Sequence, residues 1–297
     1  MDGAPAARGE RGSGVRAPRR GHRDSRARTR RLTIRRPAAP VRAVPFQTMR
    51  ILVSNDDGVH SPGIHTLARV AQRFGDVRIV APDVEQSAMS HAITVRRPLH
   101  YNATRIEGIE AYRVDGTPAD CVALGTHHWE RVDLVLTGIN LGLNIGHNIW
   151  HSGTVAAAKH ASFLGIPAIA FSAPVDETGA EPDFTQLEPY VAEVIEMFLD
   201  TPDLPLLNVN FPLAPTSLRW TRMSVRHYEG FVVPGEDPMG RQHYWFAERT
   251  RERVEEETDR WAIEQGYVSL TPLRLNLTDD DRLERAIAHA KAAATAP

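Results

Sequence analysis

Apolar positions along this chain follow two alternating periods, and their order sets the expected architecture. From residue 49 to about 211, short apolar runs of strand length take turns with stretches whose apolar residues recur every three or four positions. The first run, Ile51-Leu52-Val53, ends at Ser54-Asn55-Asp56-Asp57-Gly58. Ser61-Pro62 then offers an N-cap with proline at the first helical position, and Ile64, Leu67, Ala68, Ala71 and Phe74 keep helical spacing as far as Gly75. A strand over 77–81 follows, and 94–114 is looser, a hairpin or an edge. Thr117-Pro118-Ala119-Asp120 has the form of a capping box and opens a helix through Val122, Leu124 and Trp129. Leu134-Val135-Leu136 is a buried strand running into Thr137-Gly138-Ile139-Asn140. An alanine-rich helix over 154–164, a strand over 168–171, a helix near 186–199 and a strand over 206–211 complete the alternation. Apolar strands separated by helices predict an α/β fold, a mostly parallel sheet covered by helices on both faces.

The pattern changes after about residue 222. Residues 223–266 mix aromatics (Tyr228, Phe231, Tyr244, Trp245, Phe246) with a charge-dominated run over 251–260, and predict an extended hairpin arm. Aromatics left exposed on such an arm suit a subunit contact, against the alternative of a surface loop. Residues 267–273 return to strand character, and Thr278-Asp279-Asp280-Asp281 caps a final amphipathic helix. The expected division is therefore a leader 1–48, an α/β core 49–222, an arm 223–266 and a C-terminal strand and helix 267–297.

Charge separates the leader from the rest. The chain's formal charge is −2, yet 1–48 holds thirteen arginines against Asp2, Glu10 and Asp24, so the body is strongly acidic. The leader has few large apolar residues and no period, which predicts disorder. It reads as an organellar transit peptide, a nucleic-acid-binding arm, or sequence upstream of a start at Met49. The direct run of Met49-Arg50 into the first strand favours the third reading. The acidity of the body argues against a duplex nucleic acid partner. Cys121 stands alone, so no internal disulfide forms, in keeping with a reducing, cytoplasmic setting. No run of about twenty apolar residues is present to span a membrane.

Candidate chemistry gathers where strands end. Asp56 and Asp57 follow the first strand, Ser87 lies in the loop after the second, and Asn140 ends the strand begun at Leu134. Ligands of open α/β sheets bind beyond the carboxyl ends of the strands. Adjacent carboxylates repel, and a divalent cation relieves that repulsion; four oxygen donors without sulfur or imidazole suit Mg²⁺, Mn²⁺ or Ca²⁺ rather than zinc. The competing reading is a solvated Asp-Asp-Gly turn. A second feature is His151-Ser152-Gly153-Thr154, a small-residue turn opening a helix whose first N–H groups make an anion site. It lacks P-loop spacing. Gly138, Gly142 and Gly146, interleaved with Asn140, Asn144 and Asn148, form a loop rich in amides that suit phosphate or sugar. His60, His147 and His151 lie near this site, positioned to move protons or hold substrate.

Taken together these segments resemble the SurE (survival protein E) family of metal-dependent phosphatases. The resemblance rests on Met49–Ile51 through His60, on Val80-Ala81-Pro82-Asp83 with Ser87, and on Gly116-Thr117-Pro118-Ala119-Asp120-Cys121-Val122. It continues through Gly138-Ile139-Asn140-Leu141-Gly142-Leu143-Asn144, Ser152-Gly153-Thr154-Val155-Ala156-Ala157-Ala158 and Gly266-Tyr267-Val268-Ser269-Leu270-Thr271-Pro272-Leu273, in the same order. It implies a Rossmann-like fold and a 5'-nucleotidase, a phosphoric monoester hydrolase acting on nucleoside 5'- and 3'-monophosphates, with short polyphosphate as a further substrate. It also implies one Mg²⁺ or Mn²⁺ per subunit held by Asp56, Asp57, Ser87 and Asn140, with Asp56 or Asp57 catalytic. Phosphate would be held by Asn144 and the Ser152-Gly153-Thr154 turn, in a homodimer or homotetramer built through the 223–266 arm. Two features depart from the family pattern: the leader 1–48, and His151 where many members carry tyrosine.

Two other classes fit less well. A signalling receiver module also places an acid pair after its first strand, but needs an aspartate where this chain has Asn140. A dinucleotide-dependent oxidoreductase needs Gly-x-Gly-x-x-Gly where this chain has Asn55-Asp56-Asp57-Gly58.

Overall fold

Successive side chains of a strand point to opposite faces, and in this chain both faces of the central strands are apolar. In β1 (Met49–Ser54) Ile51 and Val53 enter one core and Leu52 the other. The same division repeats in β5 (Leu134–Leu141), where Leu134 and Leu136 oppose Val135, and in β6 (Ala168–Ala173), where Ile169 and Phe171 oppose Ala168 and Ala170. A strand buried on both sides must be covered by helices on both sides. The computed structural model describes residues 49–106, 108–175, 182–225, 228–250 and 254–294, and the expectations for the leader 1–48 lie outside them.

The remaining strands of the main sheet are β2 (Gly75–Pro82), β3 (Tyr101–Ile106), β4 (Ile109–Val114), β7 (Leu206–Asn210), β8 (Ser217–Trp220) and β11 (Tyr267–Pro272). The described residues form a nine-stranded sheet in the order β3-β4-β2-β1-β5-β6-β7-β11-β8. From β4 through β7 every neighbouring pair is parallel; β3 pairs antiparallel with β4, and β11 antiparallel with β7. This is the expected α/β architecture, with the 94–114 region supplying the edge hairpin. Helices α1 (Pro62–Ala71) and α4 (Glu188–Asp200) cover the face that contains Ile51, Leu136 and Phe171. Helices α2 (Pro118–His128) and α3 (Gly153–Phe163) cover the other. There Ala157, Ala158 and Ala161 of α3 share a core with Ala168 and Ala170, and these short side chains let the helix lie close to the sheet.

Local signals explain most element ends. The Thr117–Asp120 capping box forms in full at the start of α2. Ser61 precedes α1, but its hydroxyl accepts from Asn55 Nδ2 at 2.7 Å instead of capping the helix. Strand β5 ends at Leu141, one residue beyond the expected end at Asn140. Its pairing with β6 shifts register between Thr137 and Asn140, a bulge that re-aims the strand end. Gly138 has φ +118°, and a Cβ there would lie 2.2 Å from the Phe171 carbonyl oxygen, so only glycine fits.

In the C-terminal third, β9 (Tyr228–Glu236) and β10 (Gln242–Thr250) form an antiparallel hairpin of their own. Tyr244, Trp245 and Phe246 are 65%, 67% and 91% exposed on it. Within the same region residues 259–264 are helical: α5 (Asp259–Glu264) packs on β11 with Asp259 and Ala262 buried. The hairpin proper is thus narrower than 223–266. Helix α6 (Asp280–Ala294) closes the described chain, with Asp279 Oδ1 accepting from the Arg282 N–H at 2.9 Å. Among the described residues no helix is long and apolar enough to cross a membrane.

Candidate active site

The chain leaves β1 toward β2 on one side, and β5 docks on the other side of β1 before continuing to β6. That reversal is a topological switch point, and the crevice beyond it is where open α/β sheets bind ligands. Asp56 and Asp57 enter it from β1, the 83–90 loop from β2, Asn140 from β5, and the tip of α3 closes it.

Backbone bonds stitch these segments together. The Gln86 N–H donates to the Asp56 carbonyl at 2.7 Å, and the Leu141 N–H to Asp57 Oδ2 at 3.3 Å. Ser90 reaches the other wall, its N–H on the His151 carbonyl at 3.0 Å and its hydroxyl on the Trp150 carbonyl at 2.6 Å. A cleft of about 550 Å³ opens between the segment after β1 and the loop after β2, its lining including Asp57, His60, Asp83, Glu85, Ser87 and Leu141.

Asp56 lies against the tip of α3, and is buried. The Thr154 hydroxyl and the Gly153 and Thr154 backbone N–H groups donate to its carboxylate. A Cβ on Gly153 would come within 2.8 Å of Asp56 Cβ and Oδ2, so glycine is what permits this approach. The N-cap hydroxyl of Ser152 takes the Val155 N–H at 3.0 Å, and the Ser152 N–H goes to Asn148. The helix-tip donors expected to receive phosphate are therefore committed, two of them to a carboxylate supplied by β1. Burial pushes the Asp56 pKa above the usual carboxylate range, opposed chiefly by the Thr154 hydroxyl and then by the backbone donors. Among the described residues no lysine or arginine forms an ion pair with Asp56.

The chemistry of the donors fits a hard cation. Asn140 Nδ2 donates to the Gly142 carbonyl at 2.7 Å, which leaves the amide oxygen to face the other way. The exposed Ser87 hydroxyl donates to Glu85 Oε1 at 2.5 Å and keeps its lone pairs available. Asp57 and Ser87 line one cleft, Asn140 adjoins it through Leu141, and Asp56 sits next to Asp57 under the helix tip. Among the described residues no cage of three His, Cys, Asp or Glu side chains occurs; the candidate set mixes two carboxylates with a hydroxyl and an amide.

Asn144 stands apart from the cleft lining. Its Nδ2 donates to Ser172 Oγ and its N–H to Asn210 Oδ1, both at 2.8 Å, while its carbonyl accepts from Asn208 and Asn210 at 2.8 and 3.1 Å. It anchors the glycine-asparagine loop to β6 and β7. Further on, the Gly146 N–H donates to the buried Asp259 Oδ2 at 2.8 Å. His60 lines the cleft; of His151, the carbonyl meets Ser90. Sequence reasoning missed Asp83, Glu85, Asn208, Asn210 and Asp259. For Asp259 the one available signal was Thr258-Asp259 as a helix start.

Comparisons with known proteins point one way. A family model described as "Survival protein SurE" matches residues 51–230. The chain is 51% identical over 243 residues to 5'-nucleotidase SurE 1 of Thermus thermophilus, covering 80% of this chain and 96% of that one. It is 45% identical over 258 residues to 5'-nucleotidase SurE of Deinococcus radiodurans, covering 84% and 96%. The crystal structure of the SurE protein from Aquifex aeolicus is similar with TM-score 0.70 and 37% identity, over 82% of this chain and 99% of that one.

Proposed function

This chain belongs to the SurE family, and from that premise we propose that it hydrolyses nucleoside monophosphates with one divalent cation held in the β1–β5 crevice. It is a phosphoric monoester hydrolase of the 5'-nucleotidase type. Asp56, Asp57, Ser87 and Asn140 would hold Mg²⁺ or Mn²⁺. When bound, such an ion polarises a phosphoryl oxygen and favours ionisation of a water.

The protein's own groups have separable tasks. The Gly153 and Thr154 donors hold Asp56 in one orientation, which fixes half of the acid pair before substrate arrives. Asp57 lines the cleft while Asp56 is buried, which supports giving Asp57, of the two, the role of orienting the attacking water and taking its proton. Asn144 and the Ser152-Gly153-Thr154 turn frame the phosphate side. They act by holding the loop and Asp56, and the positive end of α3 favours the anion beside them.

Nucleoside 3'-monophosphates and short polyphosphate belong to the same proposal. Asp83 and Glu85 in the cleft lining disfavour a long polyanion, so monophosphates are the expected better substrates. The exposed Tyr244, Trp245 and Phe246 support assembly as a homodimer or homotetramer through the 223–266 region. A cytoplasmic location rests on the lone, buried Cys121.

One observation carries this reading: Asp57 and Ser87 share a cleft with Leu141, next to an Asn140 whose amide nitrogen is engaged by the Gly142 carbonyl. The test is a screen of 5'- and 3'-monophosphates and polyphosphate against Mg²⁺ and Mn²⁺, with Asp57→Asn alongside. Phosphate release should require the metal and vanish in the variant, with the fold intact by circular dichroism. Undiminished turnover by metal-stripped Asp57→Asn would sink it.

A further inference from the structure

We propose that Asp259 is a positioning residue of this reaction: it fixes the loop that frames the phosphate side and ties that loop to the root of the hairpin arm. The proposal rests on the hydrolase reading above.

Asp259 is the first residue of α5, far along the chain from the crevice, and it is fully buried. Its two oxygens have different jobs. Oδ2 accepts from the Gly146 N–H at 2.8 Å, and Oδ1 accepts from the N–H groups of Ser224 and Arg260 at 2.9 and 2.8 Å. Gly146 lies in the loop between Asn144 and Ser152, two residues from the first. Ser224 lies just before the hairpin, next to the isolated bridge between Arg222 and Thr258. The Asp259 N–H in turn donates to the Arg222 carbonyl at 2.9 Å. One carboxylate therefore joins three chain segments through main-chain donors alone.

Burying a carboxylate is costly, and burial pushes the Asp259 pKa upward against the pull of these backbone bonds. An apolar residue would fill the space without that cost. It would leave the buried N–H groups of Gly146 and Ser224, and the half-buried one of Arg260, without their acceptor, and the loop without its third anchor. The other two are the Asn144 contacts to β6 and β7 and the Ser90 bonds to residues 150 and 151. Both lie on the far sides of Gly146. Asp259 holds the middle of the span, which is why its loss should displace Asn144 and Ser152 together.

The test uses the full chain and its Asp259→Asn variant. Asparagine keeps the shape but turns an NH₂ toward one of the donors. KM for a nucleoside monophosphate should rise about tenfold or more. Mn²⁺ affinity should stay within about threefold, because the candidate ligands sit on other segments. Val194→Ala in α4 serves as the control that loses stability with KM unchanged. A folded Asp259→Asn with wild-type KM overturns the proposal, as does parallel loss of Mn²⁺ affinity and KM.

Hydrogen exchange on the wild-type chain decides it without a variant. Inorganic phosphate with Mn²⁺ should slow exchange over 142–152 and also over 221–225. Protection confined to 142–152 would overturn the tie to the arm. A wild-type protein that releases no phosphate from any monophosphate refutes the hydrolase reading instead, and the exchange pattern still judges Asp259.

Discussion

Gly153→Ala is the sharpest probe of how the acid pair is held. The added methyl would lie 2.8 Å from both Cβ and Oδ2 of Asp56, where ordinary contact begins at about 3.4 Å. Something must move by roughly 0.6 Å or more, and the choices are the α3 tip or the Asp56 carboxylate. The helix is pinned by Ala157, Ala158 and Ala161 against the sheet and by the Thr137 hydroxyl on the Thr154 carbonyl at 2.9 Å. Asp56 should therefore yield. Overpacking costs about 1–3 kcal/mol, and replacing glycine at a helix start returns at most about 1 kcal/mol of propensity. Net destabilisation of no more than about 3 kcal/mol leaves a folded protein. A misplacement approaching 1 Å at a reacting centre costs on the order of 10²-fold in rate, or about 2.7 kcal/mol of transition-state stabilisation. Urea unfolding and kcat/KM for a monophosphate should be measured together, with Gly125→Ala as control. Its methyl meets Leu52 Cδ1 and Cδ2 at the same 2.8 Å, a flexible apolar end within the core. The control should lose stability and keep its rate. A folded Gly153→Ala within about threefold of wild-type kcat/KM would refute the reasoning.

Two other outcomes follow from the geometry. His91 Nε2 lies 3.1 Å from His160 Nδ1 and its ring stacks on Phe163, with burial first and the Lys159 and His160 charges next lowering its pKa from 6.5 to about 4. Between those pH values the unfolded chain takes up a proton that the folded chain refuses, so stability falls as pH drops through that window. The half-exposed setting reduces the effect to about 1 kcal/mol, and His91→Gln should flatten the slope of unfolding free energy against pH over that range. On the arm, Trp245→Ser with Phe246→Ser should lower the sedimentation mass while shifting subunit stability by no more than about 0.5 kcal/mol. An unchanged mass would remove the arm from the assembly.

Much of the core was legible because each element carried its own local signal. Ile51–Val53, the Thr117–Asp120 box and the alanine-rich run of α3 all agree with the fold they enter. The failures have tertiary causes. The end of β5 was readable to within a residue, at Asn140 against Leu141, but not the bulge where its pairing with β6 shifts between Thr137 and Asn140. Strand β8 alternates poorly because β11 is its partner on one side alone. Helix α5 lies next to a charged run that masks it, and its burial depends on β11. At the site, the residue types at the strand ends were readable. What no sequence pattern shows is that the α3 tip is already engaged by Asp56, because that contact joins residues 98 positions apart.

The donors proposed for the cation come from the ends of three strands around the switch point, so an ion bound there would tie β1, β2 and β5 together at one edge of the sheet. Its binding free energy would add to the stability of the assembled sheet, by more as the free ion concentration rises. A chelator would then remove that one tie and lower stability by the binding term alone, leaving the sheet assembled.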